Sequence, residues 1–197
     1  MLQTKNDLSE LDRSHLVELL NQRLADTLDL VYHAKQAHWN VRGPHFRSLH
    51  KLFDVIAEGI LEGVDLMAER LVQLGGIAQG TLQAVVQRTS LSPYPLQIIH
   101  EKNHLEALSS SLAQCAKSMR QSIDHAQDWN DQDTADLLVQ LSQSLDKFLW
   151  MVESHLFERE EERQEQTQDP KLRAGLESRL FHSDLSSGAS SEGKKTS

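Results

Sequence analysis

The sequence predicts an all-α protein built from long helices. The chain has 197 residues but only four Pro and nine Gly, so residues that break helices are scarce. Apolar residues recur at three- and four-residue steps in several long stretches, which is typical of the buried face of an amphipathic helix. One of these stretches, residues 46–74, contains no Pro. The length suits one domain with tails.

The first helix is predicted over residues 11–40. Ser14 or Asp12 is expected to cap its start, because short side chains with an oxygen accept hydrogen bonds from the first amides of a helix. Its apolar stripe consists of Leu16, Leu19, Leu20, Leu24, Leu28 and Val31. Residues 1–10 are polar, contain one basic residue, Lys5, and are expected to form a flexible N-terminal tail.

The second helix is predicted over residues 46–74. Gly43 and Pro44 break the chain before it, and Gly75 and Gly76 end it. A long connection follows over residues 77–95, with a short helical patch at residues 82–87.

The third helix is predicted over residues 96–126 and the fourth within residues 127–157. The helical domain therefore spans residues 11–157, and residues 158–197 form a charged and partly disordered C-terminal extension. Glu101 and His104 have the Glu-x-x-His spacing of di-iron bundles, but no second copy exists, so both are expected on the surface. His33 and His45 are expected on the surface or just behind metal ligands.

Two pairs of potential metal ligands lie in the second helix. His50 and Asp54 are four residues apart, and so are Asp65 and Glu69, so each pair lies on one face of the helix. His38 stands upstream, at the end of the first helix. Imidazole and carboxylate ligands suit Fe(II), Mn(II) or Zn(II). A single pair of this kind is more often a solvated surface pair than a ligand pair.

The separation of the two pairs indicates a site shared between subunits. His50 and Asp65 lie about 22 Å apart on a straight helix, at about 1.5 Å per residue, so one metal ion cannot contact both pairs of the same helix. The four positions are, however, symmetric about the middle of the helix, near Gly59 and Ile60. An antiparallel second copy would bring His50 opposite Glu69.

The same symmetry would bring Asp54 opposite Asp65, and a twofold dimer would contain two equal sites. Gly59 and Gly63 are expected to allow close approach of the two backbones near the axis.

Composition limits the other classes of function. The formal net charge is −9, which argues against a surface that coats DNA and suits a protein that attracts cations. No run of about 18 apolar residues exists, so no membrane span is expected, and the N-terminus has no apolar signal region. The single cysteine, Cys115, excludes an internal disulfide and suits the reducing cytoplasm.

The segments AHWNVRG, LHKLFD, GVDLMAER and LGGIAQGT resemble the Dps family, the small dodecameric ferritins of bacteria. The resemblance runs from about residue 12 to about residue 157. It implies a ferritin-like four-helix bundle, with a long crossover between helices two and three that carries a short extra helix. It also implies a hollow dodecameric shell, in which ferroxidase sites between twofold-related subunits oxidise iron, preferably with hydrogen peroxide, and store it. The ligands it implies are His38, His50, Asp54, Asp65 and Glu69.

The resemblance also suggests a role for acidic residues around the start of the fourth helix. These are Asp128, Asp131, Asp133 and Asp136. In the family, carboxylates at this place line a channel on a threefold axis, and Asp136 matches best. Helix capping and favourable interaction with the helix dipole are the alternative explanation for any one of them.

Two alternative functions remain open. One is a nucleoid-associated protein that binds DNA, although the N-terminal segment lacks the Lys-rich character that often contacts DNA in the family. The other is a bundle that keeps the fold but binds zinc, or no metal, in the same site, because ligand types alone do not separate zinc from iron.

Overall fold

The computed structural model describes the backbone of residues 1–168 and the side chains of residues 1–157. The helices are α1 (Glu10–Asn40), α2 (Phe46–Gln73), α3 (Leu82–Arg88), α4 (Glu101–Asp128) and α5 (Gln132–Gln168). The described residues contain no β-strand, only an isolated bridge between Arg42 and His100. The predicted fold class is therefore confirmed: four long helices, with a short helix in the crossover that connects the second to the third.

The chain divides into a compact unit, Met1–Leu156, and a second unit that begins at Phe157. Of the second unit, the structure describes the Phe157 side chain and the backbone through Gln168, which belongs to α5. The disorder predicted for the end of the C-terminal extension lies outside the described residues.

The core of the compact unit is formed by the apolar stripes of the four long helices. α1 packs against α2, α3 and α4. Fully buried side chains from three of these helices include Leu16, Leu20, Leu24, Phe53, Ile56, Met67, Leu105 and Leu108. Burial of each such side chain contributes roughly 1.5–3 kcal/mol of transfer free energy. Cys115 is also buried, and burial raises the pKa of its thiol to about 12, so it is a structural thiol.

The prediction that Gly59 and Gly63 face a second subunit is wrong. A Cβ at Gly59 would lie 2.5 Å from Cζ of Phe148, and a Cβ at Gly63 would lie 2.7 Å from Cδ2 of Leu141. Both contacts are with α5 of the same chain. These glycines therefore allow α2 and α5 to pack closely inside the subunit.

The third long helix begins five residues later than predicted. The Arg42 amide donates to the Ile99 carbonyl at 2.9 Å, and the Glu101 amide donates to the Arg42 carbonyl at 3.0 Å. These bonds hold residues 98–100 extended beside the connection between α1 and α2. The local sequence cannot show this contact, because its partner lies more than fifty residues away.

Three polar residues are buried: Glu101 and His104, which are predicted on the surface, and His33, which is predicted on the surface or just behind metal ligands. Glu101 and His104 are 2% and 1% exposed, so the prediction that this pair lies on the surface is wrong. His104 Nδ1 shares a hydrogen bond with the Tyr94 hydroxyl at 2.8 Å. His33 is also buried, with Nδ1 3.0 Å from the Ser111 hydroxyl.

The start of the chain contacts the end of α2. The Leu2 amide donates to the Gly75 carbonyl at 2.8 Å. Ser9, and neither Ser14 nor Asp12, is the N-cap of α1, since its side chain accepts from the Asp12 amide at 3.1 Å. The flexibility of residues 1–10 stays a prediction.

Candidate metal centre

Two histidines from the ends of neighbouring helices face each other. His38 lies in the last turn of α1 and His50 lies near the start of α2. Their rings are stacked, with centroids 3.7 Å apart and an interplanar angle of 22°. Both side chains are only partly accessible to solvent. The connection at residues 41–45 thus brings two imidazoles from different helices together.

Each ring is oriented by the backbone beside the other ring. His38 Nδ1 lies 2.7 Å from the His50 carbonyl oxygen, and His50 Nδ1 lies 2.8 Å from the His38 carbonyl oxygen. A carbonyl oxygen can only accept, so both Nδ1 atoms carry the proton. In the neutral rings the lone pair is then on Nε2, the atom that a metal ion would bind. A ligand histidine commonly donates its other nitrogen to an oxygen in this way.

Asp54 places a carboxylate beside the two rings. Its Oδ1 lies 3.9 Å from His38 Nδ1 and accepts a hydrogen bond from the Lys35 ammonium. This hydrogen bond is the largest cause of the lowered pKa of the Asp54 carboxyl, to which the nearby His38 and His50 also contribute. Asp54 is therefore ionised at neutral pH, as a metal ligand must be. Lys35 neutralises it within the chain.

The other two predicted ligands lie farther along α2. Asp65 and Glu69 are both exposed. In the part of the chain that the structure describes, no three His, Cys, Asp or Glu side chains are grouped closely enough to hold a metal ion. Within one subunit His38, His50 and Asp54 are neighbours, but they do not by themselves form a group that could hold a metal ion.

Exposed apolar side chains share the face of α2 that carries the carboxylates. Helix geometry places Asp54, Leu61, Asp65 and Val72 on one stripe, at steps of seven, four and seven residues. Leu61 and Val72 are each 51% exposed in the single chain. In the single chain this stripe therefore presents both apolar and acidic side chains to solvent, and a partner that covered it would bury Leu61 and Val72.

The acidic residues around the start of α5 are in different environments. Asp131 is buried, accepts from the Thr134 amide at 3.1 Å and from Arg70 at 2.7 Å, and so caps α5 within the subunit. Asp133 is 84% exposed and lies 3.8 Å from Arg70. Asp128 and Asp136 are also exposed. The capping explanation therefore describes Asp131, whereas the other carboxylates face solvent.

Sequence reasoning missed the partners that hold this region in place. Lys35 precedes His38 by three residues, a spacing that puts both on one face of α1 and could have indicated their proximity. Glu101, which binds His45, had no such signal because the contact joins distant parts of the chain.

None of the described helices combines the length and the apolar character needed to cross a membrane.

Comparisons with known proteins agree with this architecture. The family model of the ferritin-like domain matches residues 17–160. A "DNA protection during starvation protein" from Agrobacterium fabrum is 42% identical over 156 residues, which cover 79% of this chain and 96% of that protein. A protein of the same name from Mycolicibacterium smegmatis is 32% identical over 149 residues, covering 76% of this chain and 81% of that protein.

Solved structures of similar proteins have the same fold. The tetragonal form of Mycobacterium smegmatis Dps has a TM-score of 0.75 at 32% identity and covers 78% of this chain and 94% of that one. DpsA14 from Streptomyces coelicolor has a TM-score of 0.74 at 33% identity, with 78% and 90% covered. A domain model that spans most of the chain, and relatives aligned along most of their own length, show that this chain belongs to the ferritin-like proteins and, among them, to the Dps family.

Proposed function

We propose that the protein is a ferroxidase that oxidises Fe(II) between twofold-related subunits and stores the ferric product. The observation that carries this proposal is the pair His38 and His50, whose rings are oriented by each other's backbone next to the ionised Asp54. Fe(II) is the substrate of this site, and iron binding is the general property of the family. Nothing in the ligand set requires zinc.

The second half of the site comes from the partner subunit. Asp65 and Glu69 project from the same helix at a distance that excludes them from their own His50. An antiparallel second copy of α2 would place them opposite Asp54 and His50 of the first. The same contact would cover Leu61, which is exposed in the single chain. A twofold contact repeats itself, so each dimer has two equal sites.

The chemistry of such a site is binding and electron transfer. The carboxylates of Asp54, Asp65 and Glu69 are hard anionic ligands, which stabilise Fe(III) relative to Fe(II). Two Fe(II) ions lose one electron each to hydrogen peroxide, whose O–O bond breaks, and two protons complete two water molecules. Transfer of both electrons at one site avoids release of the hydroxyl radical. The protein thereby protects the cell, including its DNA, from oxidative damage.

We propose that iron reaches the interior of the shell through acidic pores. Twelve chains form a hollow shell in the cytoplasm, and Asp128, Asp133 and Asp136 line the entry on a threefold axis, where the charge of several carboxylates attracts Fe(II). Asp131 supports this wall from inside the subunit, because its carboxylate binds Arg70 and caps α5. Asp136→Asn should slow iron uptake at low ionic strength with assembly unchanged; an unchanged rate contradicts the pore.

The test of the ferroxidase is oxidation of Fe(II) loaded without oxygen, followed by addition of hydrogen peroxide. Ferric absorbance, and the fluorescence of Trp39, which directly follows His38, report the reaction. The wild type should oxidise Fe(II) rapidly, and Asp65→Ala/Glu69→Ala should lose this activity. Glu106→Ala, which removes an exposed carboxylate on α4, is the control and should behave as the wild type. Equal, slow oxidation by all three proteins would contradict the proposal.

DNA binding is the second candidate, favoured by the name that the relatives carry. The chain offers little for it, since its net charge is −9 and residues 1–10 contain only Lys5 as a basic side chain. A salt-dependent shift of duplex DNA in a gel would establish this activity.

A further inference from the structure

The start of α2 lacks a cap of its own. Its N-cap residue, His45, makes no capping hydrogen bond with its side chain, and no acidic residue lies in the first turn. The first amides of a helix need hydrogen-bond acceptors, and its positive end favours a negative charge. A helix that carries His50 in its second turn would therefore be expected to fray just where a ligand must be held still.

Glu101 supplies the missing charge from another helix. Its Oε2 accepts from the His45 amide at 3.0 Å, and its Oε1 lies 3.0 Å from Nδ1 of the His45 ring. The Glu101 side chain is only 3% exposed, whereas that of His45 is 58% exposed. A buried carboxylate thus holds His45, the N-cap residue of α2, by two bonds, and bonds to an ionised carboxylate are stronger than bonds between neutral groups.

The backbone around this contact allows it and reinforces it. A Cβ at Gly43 would collide with the Glu101 carboxylate, so only glycine lets the carboxylate lie against this turn. Two backbone hydrogen bonds join Arg42 to Ile99 and Glu101. The connection between α1 and α2 is therefore fixed to the start of α4 at several points.

This connection determines how His38 and His50 meet. The two reciprocal bonds between ring and carbonyl, at 2.7 and 2.8 Å, exist only if the end of α1 and the start of α2 keep one axial register. His45 lies five residues before His50, within the segment that sets this register. A shift of α2 that lengthened both distances beyond about 3.2 Å would break both bonds and release the two rings from their orientation.

From these contacts we propose that Glu101 is a positioning residue for the metal site, which acts through His45 and the connection at residues 41–45. The proposal rests on the proposed function, since it assigns Glu101 to the His38 and His50 half of that site. Glu101 does not touch the metal; it holds the helix on which a ligand lies.

The test is binding of Co(II), without oxygen, to the full assembled protein, followed by its visible absorption bands. Residues behind metal ligands commonly contribute about tenfold to hundredfold in affinity. We expect Glu101→Ala and His45→Ala each to weaken Co(II) binding by about tenfold and to change the shape of the bands. His45→Asn should restore binding, because Asn places an N–H donor where the ring has Nδ1.

The controls separate this proposal from the ferroxidase itself. Glu106→Ala removes an exposed carboxylate of α4 and should bind Co(II) as the wild type does. If Asp65→Ala/Glu69→Ala abolishes binding while both Glu101→Ala and His45→Ala bind with wild-type affinity and spectrum, the positioning role is overturned and the proposed function stands. If Asp65→Ala/Glu69→Ala also binds as the wild type, the proposed function fails. Should Glu101→Ala not assemble, His45→Ala decides, because its side chain is largely exposed.

Discussion

At the scale of single residues, the candidate centre depends on side chains that are already held before any metal arrives. His38 and His50 each donate to a backbone carbonyl, so little conformational freedom is left for a metal ion to remove. The ligand types and their helical spacing could be predicted from sequence. The reciprocal bonds could not, because they follow from the packing of α1 on α2. The assembly of all five proposed ligands stays a prediction.

Lys35 competes with a metal ion for the carboxylate of Asp54. Its ammonium donates a hydrogen bond to the carboxylate of Asp54. A metal ion that binds Asp54 would have to displace this ammonium. Lys35→Met should therefore tighten Co(II) binding severalfold, because no ammonium has to be displaced. Titration without oxygen measures the affinity, with Lys51→Met, an exposed lysine on α2, as the control. Unchanged or weaker binding by Lys35→Met would contradict the competition.

At the scale of helices, periodicity predicted the positions of α1 and α2 to within one residue at each end. It failed at α4, where bonds to Arg42 delay the start, and at the glycines of α2, which face α5. Both failures have one cause: a local sequence pattern indicates that a helix face is packed against something, but not which distant element packs there. Glu101 illustrates this, since the sequence predicts it on the surface whereas its carboxylate is buried.

The exposed stripe on α2 predicts that this helix forms the twofold contact between subunits. Leu61 is 51% exposed in the single chain and lies between the two ligand pairs. Leu61→Lys should therefore leave the helical content of the subunit intact but dissociate the twofold dimer and abolish iron oxidation, because it would bury a charge in the contact. Leu61→Met is the matched control and should keep both the twofold dimer and iron oxidation. Light scattering measures the mass; an undissociated Leu61→Lys protein would contradict the twofold face.

At the scale of the whole molecule, a buried polar network connects the crossover to the bundle. His33 of α1 lies 3.0 Å from Ser111 of α4, and Tyr94 of the crossover bonds to His104 of α4. Burial lowers the pKa of both histidines, with Asp29 partly opposing the effect at His33, and burial raises the pKa of Tyr94. The network is thus built from neutral side chains.

This network predicts acid sensitivity of the fold. The folded state lowers both histidine pKa values below 6.5, so near and below pH 6.5 it binds fewer protons than the unfolded state. The free energy of unfolding that the two neutral histidines contribute is therefore fully present above pH 6.5 and declines as the pH falls through the lowered pKa values. The loss is at most about 1.4 kcal/mol per pH unit for each histidine. Urea unfolding at fixed subunit concentration measures it. His104→Gln should show a shallower decline between pH 6.5 and 5; an equal slope in both proteins would contradict the assignment.

Complementation between two inactive variants tests the shared site most directly. His38→Ala/His50→Ala and Asp65→Ala/Glu69→Ala each retain the opposite half of every site. Each alone should fail to oxidise Fe(II) with hydrogen peroxide. After subunit exchange, mixed dimers contain one intact site, so rapid oxidation should return to a fraction of the wild-type rate. If mass measurements show that mixed dimers have formed and no activity returns, the ligands do not come from two subunits, and the interfacial ferroxidase is contradicted.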